Sequence, residues 1–153
     1  MAKTSTAKEK QTVTLLNKQV ANWGVMYVKL HQFHWYLKGP SFFVLHVKFE
    51  ELYKEADLYL DTIAERILGL KGSPLSTTKE FQTNSSIKEV SPERNAGQMV
   101  EELIQDFRTI TKESKEAIET AENEGDPGTA DMLTEICTNL EKHIWMLESY
   151  IND

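Results

Sequence analysis

The chain has one cysteine, Cys137, among its 153 residues, so no disulfide can form within it. The residue falls at a core-like position of a helical segment, where a buried thiol in a reducing cytoplasm is expected. Proline and glycine are also scarce, four and seven residues, and they cluster at a few places, which favours long uninterrupted helices. No apolar run approaches the length of about 18 residues that a membrane span needs. The polar, Lys/Thr-rich Met1–Lys10 does not read as a signal peptide. A cytoplasmic protein, at most associated with the nucleoid, is the expectation. Glu-x-x-His is missing from the whole chain. A di-iron centre inside a helical bundle uses that spacing, so the interior is expected to be a plain apolar core. No internal repeat or low-complexity stretch is present.

Positive charge is short as well. Seventeen Lys and Arg face twenty-four Asp and Glu, a net charge of −7. Such a chain repels nucleic acid at long range and attracts cations. Lys3, Lys8 and Lys10 form a weak basic arm offset by Glu9, within a segment 1–11 expected to be flexible. DNA binding needs a run of phosphate contacts and is expected to be weak or absent.

What the sequence does hold is helical periodicity. With 40% hydrophobic and 27% charged residues it reads as a single globular domain over 1–153. Leu16, Val20, Trp23, Tyr27, Leu30 and His34 step by three and four along a first helix of about Thr12–Lys38, which Gly39-Pro40 ends. Ser41 is placed to cap a second, with Leu52, Ala56, Tyr59, Ile63, Ile67 and Leu70 on one face up to Lys71. Gly72-Ser73-Pro74 opens a long crossover. Within it, Thr77-x-x-Glu80 predicts a capping box for a short helix near Thr78–Asn84. Ser91-Pro92 reads as the cap and first residue of a third long helix carrying Met99, Leu103, Phe107, Ile110, Ser114, Ala117 and Ala121. Gly125 ends it. Asp126-Pro127 starts a fourth, with Leu133, Ile136, Leu140, Ile144, Leu147 and Ile151, running to about Ile151. The expected fold is all-α: a four-helix bundle with a long crossover between helices two and three holding a short extra helix. An up-down bundle with an ornamented loop is the alternative.

Two groups of metal-competent side chains fall on the first two helices. His46/Glu50 and Asp61/Glu65 each have i,i+4 spacing, which puts each pair on one helical face. His34 and His46 flank the Gly-Pro corner and can converge there. Imidazole nitrogen with carboxylate oxygen suits Fe²⁺, Mn²⁺ or Zn²⁺. His46 and Asp61 are 15 residues apart, roughly 22 Å along a helix, whereas metal–ligand bonds are only about 2.0–2.6 Å. If His34, His46, Glu50, Asp61 and Glu65 form one site, a second copy of the chain must supply half of it. Asp61 and Glu65, bordering Ile63 and Ile67, need a cation, either Arg66 or a metal. His31 and His143 read as hydrogen-bonded structural histidines. Trp35 reads as packing, with a role beside a redox metal as the alternative. Glu119, Glu122, Glu124, Asp126 and Asp131 surround the last turn. There Asp126 has a role as cap, and the group forms a cation funnel only if several copies of the turn meet.

These residues resemble a Dps-type mini-ferritin, of the ferritin-like superfamily, over about 12–151. The likeness rests on His34-Trp35-Tyr36, Gly39-Pro40, Phe42-Phe43, Leu45-His46, Asp61 with Ala64-Glu65-Arg66, and Gly72-x-Pro74. It implies a ferritin-like four-helix bundle assembled as a hollow homo-dodecamer with iron-oxidising sites at its two-fold interfaces. His34 and His46 would come from one chain with Glu50 nearby, and Asp61 and Glu65 from its partner, with Trp35 behind the ligands. The implied activity is that of a ferroxidase: Fe²⁺ is oxidised, with hydrogen peroxide favoured over dioxygen, and stored as Fe³⁺ mineral. Zn²⁺ could occupy the same site. Glu122, Asp126 and Asp131 would line an iron-inlet pore. Rival readings are a nucleoid protein that shields DNA and a metal-storing shell without turnover. The chain departs from the family pattern at Val47, where the family often has Glu, and at Pro127, where related pores carry an acid.

Overall fold

A computed structural model describes residues 9–152; Lys3 and Lys8 of the basic arm lie outside them. Five helices follow in order: α1 (Gln11–Tyr36), α2 (Phe42–Gly69), α3 (Thr78–Asn84), α4 (Ala96–Asn123) and α5 (Pro127–Ile151). α1 pairs along α2, and α4 along α5. α1 also touches α4 and carries α3 across its flank. The long segment from Leu70 to Asn95 is therefore the crossover, as expected, and α1, α2, α4 and α5 form the bundle. No helix among the described residues is long and apolar enough to cross a membrane.

The four stripes converge on one core. Leu16, Val20, Leu30, Leu52, Ile63, Ile67, Leu103, Ile110 and Leu133 are fully buried, with Trp23, Phe33, Phe49 and Phe107 as its largest side chains. At about 25 cal/mol per Å² of apolar surface, burying each such side chain contributes on the order of 1.5–3 kcal/mol. The interior is not wholly apolar, however. Glu55 of α2 accepts from His143 Nε2 of α5 at 2.7 Å and from the Asn139 amide at 3.2 Å. That amide also meets the Tyr59 hydroxyl at 2.5 Å. His143 is the hydrogen-bonded structural histidine expected of it, and Cys137 is buried.

The helix ends differ from the sequence reading in three places. α4 starts at Ala96, not after Ser91-Pro92. Asn95 accepts from Gln98 N at 2.9 Å and Gln98 returns the bond to Asn95 N at 3.0 Å, a complete capping box. Ser91 instead closes a small turn by accepting from Glu93 N at 3.2 Å. Ser41 occupies the cap position of α2 but its hydroxyl caps nothing. At α3, Thr77 accepts from Glu80 N at 3.2 Å, while the Glu80 carboxylate reaches Ser76 N rather than Thr77 N.

A polar stripe on α1 fastens the crossover, which the apolar pattern did not reveal. Asn17 bonds Ser73 O and Leu75 N. Asn22 accepts from Ser86 N and the Ser85 hydroxyl, and Gln32 donates to Val90 O. At Gly24 the absent side chain makes room for α3, since a Cβ there would lie 2.5 Å from the Phe81 ring. Lys29 adds a charged fastening. Its buried ammonium donates to Lys88 O and Glu102, each at 2.9 Å, and meets Asp106 at 2.5 Å.

Burial pushes the Asp106 carboxyl up to about 6, against the pull of Lys29. The folded chain then binds that proton more tightly than the unfolded chain. Between the ordinary 3.8 and about 6, the Asp106 contribution to stability is lost as pH rises. Comparing thermal unfolding of wild type and Asp106→Asn from pH 4 to 7 should show a difference of roughly 1–3 kcal/mol accumulating across this window. Parallel curves would show that Asp106 does not titrate there.

Candidate metal centre

His34 is the last buried residue of α1 but one turn short of Leu37, and His46 lies in the first turns of α2. The corner between the helices folds the two rings face to face, with centroids 3.6 Å apart and planes 12° from parallel. Each imidazole also reaches the other residue's backbone: His34 Nδ1 to His46 O at 2.7 Å, and His46 Nδ1 to His34 O at 2.8 Å. A carbonyl only accepts, so both Nδ1 atoms carry hydrogen. In the neutral ring that fixes the tautomer and puts the lone pair on Nε2, the form in which a histidine ligates a metal. Phe42 stacks on the far face of His46 at 4.7 Å, and Tyr53 stands edge-on to His34 at 5.4 Å. The rings are held rigidly without any metal.

Glu50 lies one turn beyond His46. It accepts from the Tyr53 hydroxyl at 3.2 Å and pairs with Lys54 at 3.4 Å. The Lys54 ammonium foremost, and the Tyr53 hydroxyl, hold its carboxyl below the usual range. His31 donates to Tyr27 O at 2.7 Å, stacks on Tyr53 at 3.7 Å and lies 5.3 Å from Trp35. It is the structural histidine expected. Trp35 itself is exposed, as are Tyr36, Phe43, Val44 and Val47 on either side of the helical corner.

Asp61 and Glu65 sit on the same unbroken 28-residue helix as His46, so the separation of roughly 22 Å holds. Both are exposed, and neither has an ion-pair or hydrogen-bond partner among the described residues. Arg66, the side-chain cation weighed for them, points elsewhere: its Nη2 pairs with Asp126 at 2.7 Å and its Nε donates to Thr129 at 2.9 Å. Among the described residues of one chain, no three His, Cys, Asp or Glu side chains converge to hold a metal. One chain thus presents, well apart, a preorganised imidazole pair and an unpaired carboxylate pair.

At the last turn, Glu122 and Asp131 are exposed while Asp126 is occupied. The Asp126 carboxylate caps α5 by accepting from Thr129 N at 3.1 Å and Thr129 Oγ1 at 2.5 Å, besides pairing with Arg66. Pro127 is the first residue of α5, where a missing N–H costs nothing. Thr12 of α1 donates to Glu124 at 2.8 Å, so that acid is engaged as well.

Residues 13–153 match the model of the ferritin-like domain. The chain is 50% identical to DNA protection during starvation protein 2 of Bacillus anthracis, over 94% of its own length and 98% of the relative's. Among solved structures it superposes on the crystal structure of Dps from Staphylococcus aureus with a TM-score of 0.92 and 52% identity, covering 94% of this chain and 98% of that one. It also matches zinc-soaked Dps from Listeria innocua, TM-score 0.89 and 42% identity, over 92% and 96%. The bundle, the crossover helix and the sequence likeness over more than nine-tenths of its length place this chain in the ferritin-like family, among the Dps proteins.

Proposed function

We propose that this protein is an iron-oxidising, iron-storing mini-ferritin of the cytoplasm, and that its ferroxidase site is completed only between two copies. The observation that carries the reading is the pair of half-sites. The His34/His46 nitrogens are preorganised and free, Asp61 and Glu65 are free, and one helix holds the pairs too far apart to share an ion. A two-fold contact brings the histidines of one protomer to the carboxylates of its partner, because an isologous interface presents each half to the other twice. The apolar surface around Trp35, Tyr36, Phe43, Val44 and Val47 gives such a contact its dry border. A closed shell of twelve copies is the assembly proposed, with Fe³⁺ mineral inside.

In this reading Asp61 and Glu65 hold the first Fe²⁺ as substrate, the imidazole Nε2 atoms hold or position a second, and Glu50 lies near both. Two Fe²⁺ give up one electron each, and the peroxide O–O bond accepts both. With two protons the oxygens leave as water, so no hydroxyl radical is released. Zn²⁺ fits the same mixed nitrogen and oxygen donors and would compete as an inhibitor. Exposed Glu122 and Asp131 supply the negative field of an iron inlet where copies of the turn meet.

Stopped-flow oxidation of Fe²⁺ by the assembled protein, at matched hydrogen peroxide and dioxygen, tests the activity. Faster turnover with peroxide, blocked by Zn²⁺, is expected; an oxidation rate equal to that of free Fe²⁺ would leave a storage shell without turnover. DNA shielding is a lesser role, given a net charge of −7.

A further inference from the structure

Arg66 directly follows Glu65, yet its side chain crosses from the end of α2 to the first turn of α5. A cation beside a helix N-terminus is unfavourable on its own. It is stable here because the guanidinium is clasped on two sides, by Asp126 Oδ1 at 2.7 Å and Thr129 Oγ1 at 2.9 Å. Gly128 leaves the space it needs, since a Cβ at that position would lie 3.0 Å from Nη2. The Thr129 hydroxyl is the hinge of the clasp, receiving from Arg66 and donating to Asp126 Oδ2 at 2.5 Å. Both oxygens of Asp126 are therefore in use, and its side chain is only 11% exposed.

We propose that Arg66 is a positioning residue for iron transfer: it docks the inlet turn on the helix end that carries Asp61 and Glu65, and withholds Asp126 from passing cations. The inference rests on the iron-handling function proposed above. Without Arg66, the Asp126 carboxylate still caps α5 through Thr129 but loses its counter-cation; its charge then adds to those of Glu122 and Asp131, and the turn changes from a guide into a trap. Fe²⁺ is then captured more tightly and passed on more slowly. A guide must bind weakly enough to let go, and the clasp removes the carboxylate that would prevent it.

The test uses the assembled protein carrying Arg66→Gln, Arg66→Lys, or Arg66→Gln with Asp126→Asn. Peroxide-driven oxidation is read as a function of Fe²⁺, and Mn²⁺ binding is titrated by calorimetry. In Arg66→Gln, the apparent KM for Fe²⁺ and kcat should both fall about three- to ten-fold, the effect of one freed carboxylate at short range. One additional Mn²⁺-binding class should appear. Adding Asp126→Asn should return both parameters toward wild type, because Asn still caps α5 but carries no charge. A residue that merely supports the fold would raise KM or lower the unfolding temperature without tightening Mn²⁺. Unchanged KM and kcat, or no added Mn²⁺ class, would overturn the proposal. Should Arg66→Gln fail to assemble, Arg66→Lys carries the same test, since a single ammonium cannot bridge Asp126 and Thr129 as the fork does. If wild type oxidises no Fe²⁺, the functional reading fails, and the Mn²⁺ titration still decides whether Arg66 withholds Asp126.

Discussion

Exchanging both His34 and His46 for glycine should slow peroxide-driven Fe²⁺ oxidation by about 10- to 100-fold or more, because even residues that only orient metal ligands are worth that much. The expectation follows from how the rings are held. Each Nδ1–H is fixed by the other residue's carbonyl, so each Nε2 is held in one orientation. Losing one ring also loosens the other, through the 3.6 Å stack, so the single variants should be non-additive. Assembly should persist, because the surface around Trp35, Phe43 and Val47 is untouched. Stopped-flow absorbance at the Fe³⁺ oxo band, with sedimentation as the control for mass, makes the measurement. An assembled double variant that oxidises iron at the wild-type rate with peroxide would remove these histidines from the site.

The stripes of the four long helices and the Gly-Pro and Asp-Pro breaks were readable because burial imposes a 3.6-residue period, and because proline is excluded from a helix interior yet fits its first turn. The corner that brings His34 to His46 follows from Gly39-Pro40. Their reciprocal bonds to each other's backbone do not, since no spacing encodes which carbonyl an imidazole will meet. Ser91-Pro92 misled for a similar reason. It has the local chemistry of a helix start, but Gln32 and Lys29 bind the backbone at Val90 and Lys88, and the chain turns once more before Asn95 and Gln98 offer a better cap. Asn17, Asn22 and Gln32 lie on a face that would ordinarily be solvated, so their use as fasteners shows only once the crossover is laid over them. Glu55 and His143 are 88 residues apart in sequence, and only the bundle pairs them. The Arg66–Asp126 clasp is likewise a tertiary fact: a cation next to Glu65 in sequence looks like its partner, although adjacent residues on a helix point to different faces.

Two inactive variants mixed before assembly should regain about a quarter of wild-type activity, if each site is shared between copies. One variant carries His34→Gly and His46→Gly; the other carries Asp61→Asn and Glu65→Gln. Alone, each has a broken half at every site and should be nearly inactive. At equal amounts and random pairing, about half of the two-fold contacts join unlike chains. In such a contact, one site takes histidines from the carboxylate variant and carboxylates from the histidine variant, and is whole; the other is doubly broken. Half of the sites in half of the contacts gives the quarter. Co-refolding at varied ratios sharpens the measurement, because the recovered rate should follow the product of the two fractions and peak at equal mixing. A site contained within one chain predicts no recovery at any ratio, since neither variant holds a complete set. The geometry favours sharing: His46 and Asp61 project from one unbroken helix roughly 22 Å apart, and no motion of α2 short of breaking it closes that distance.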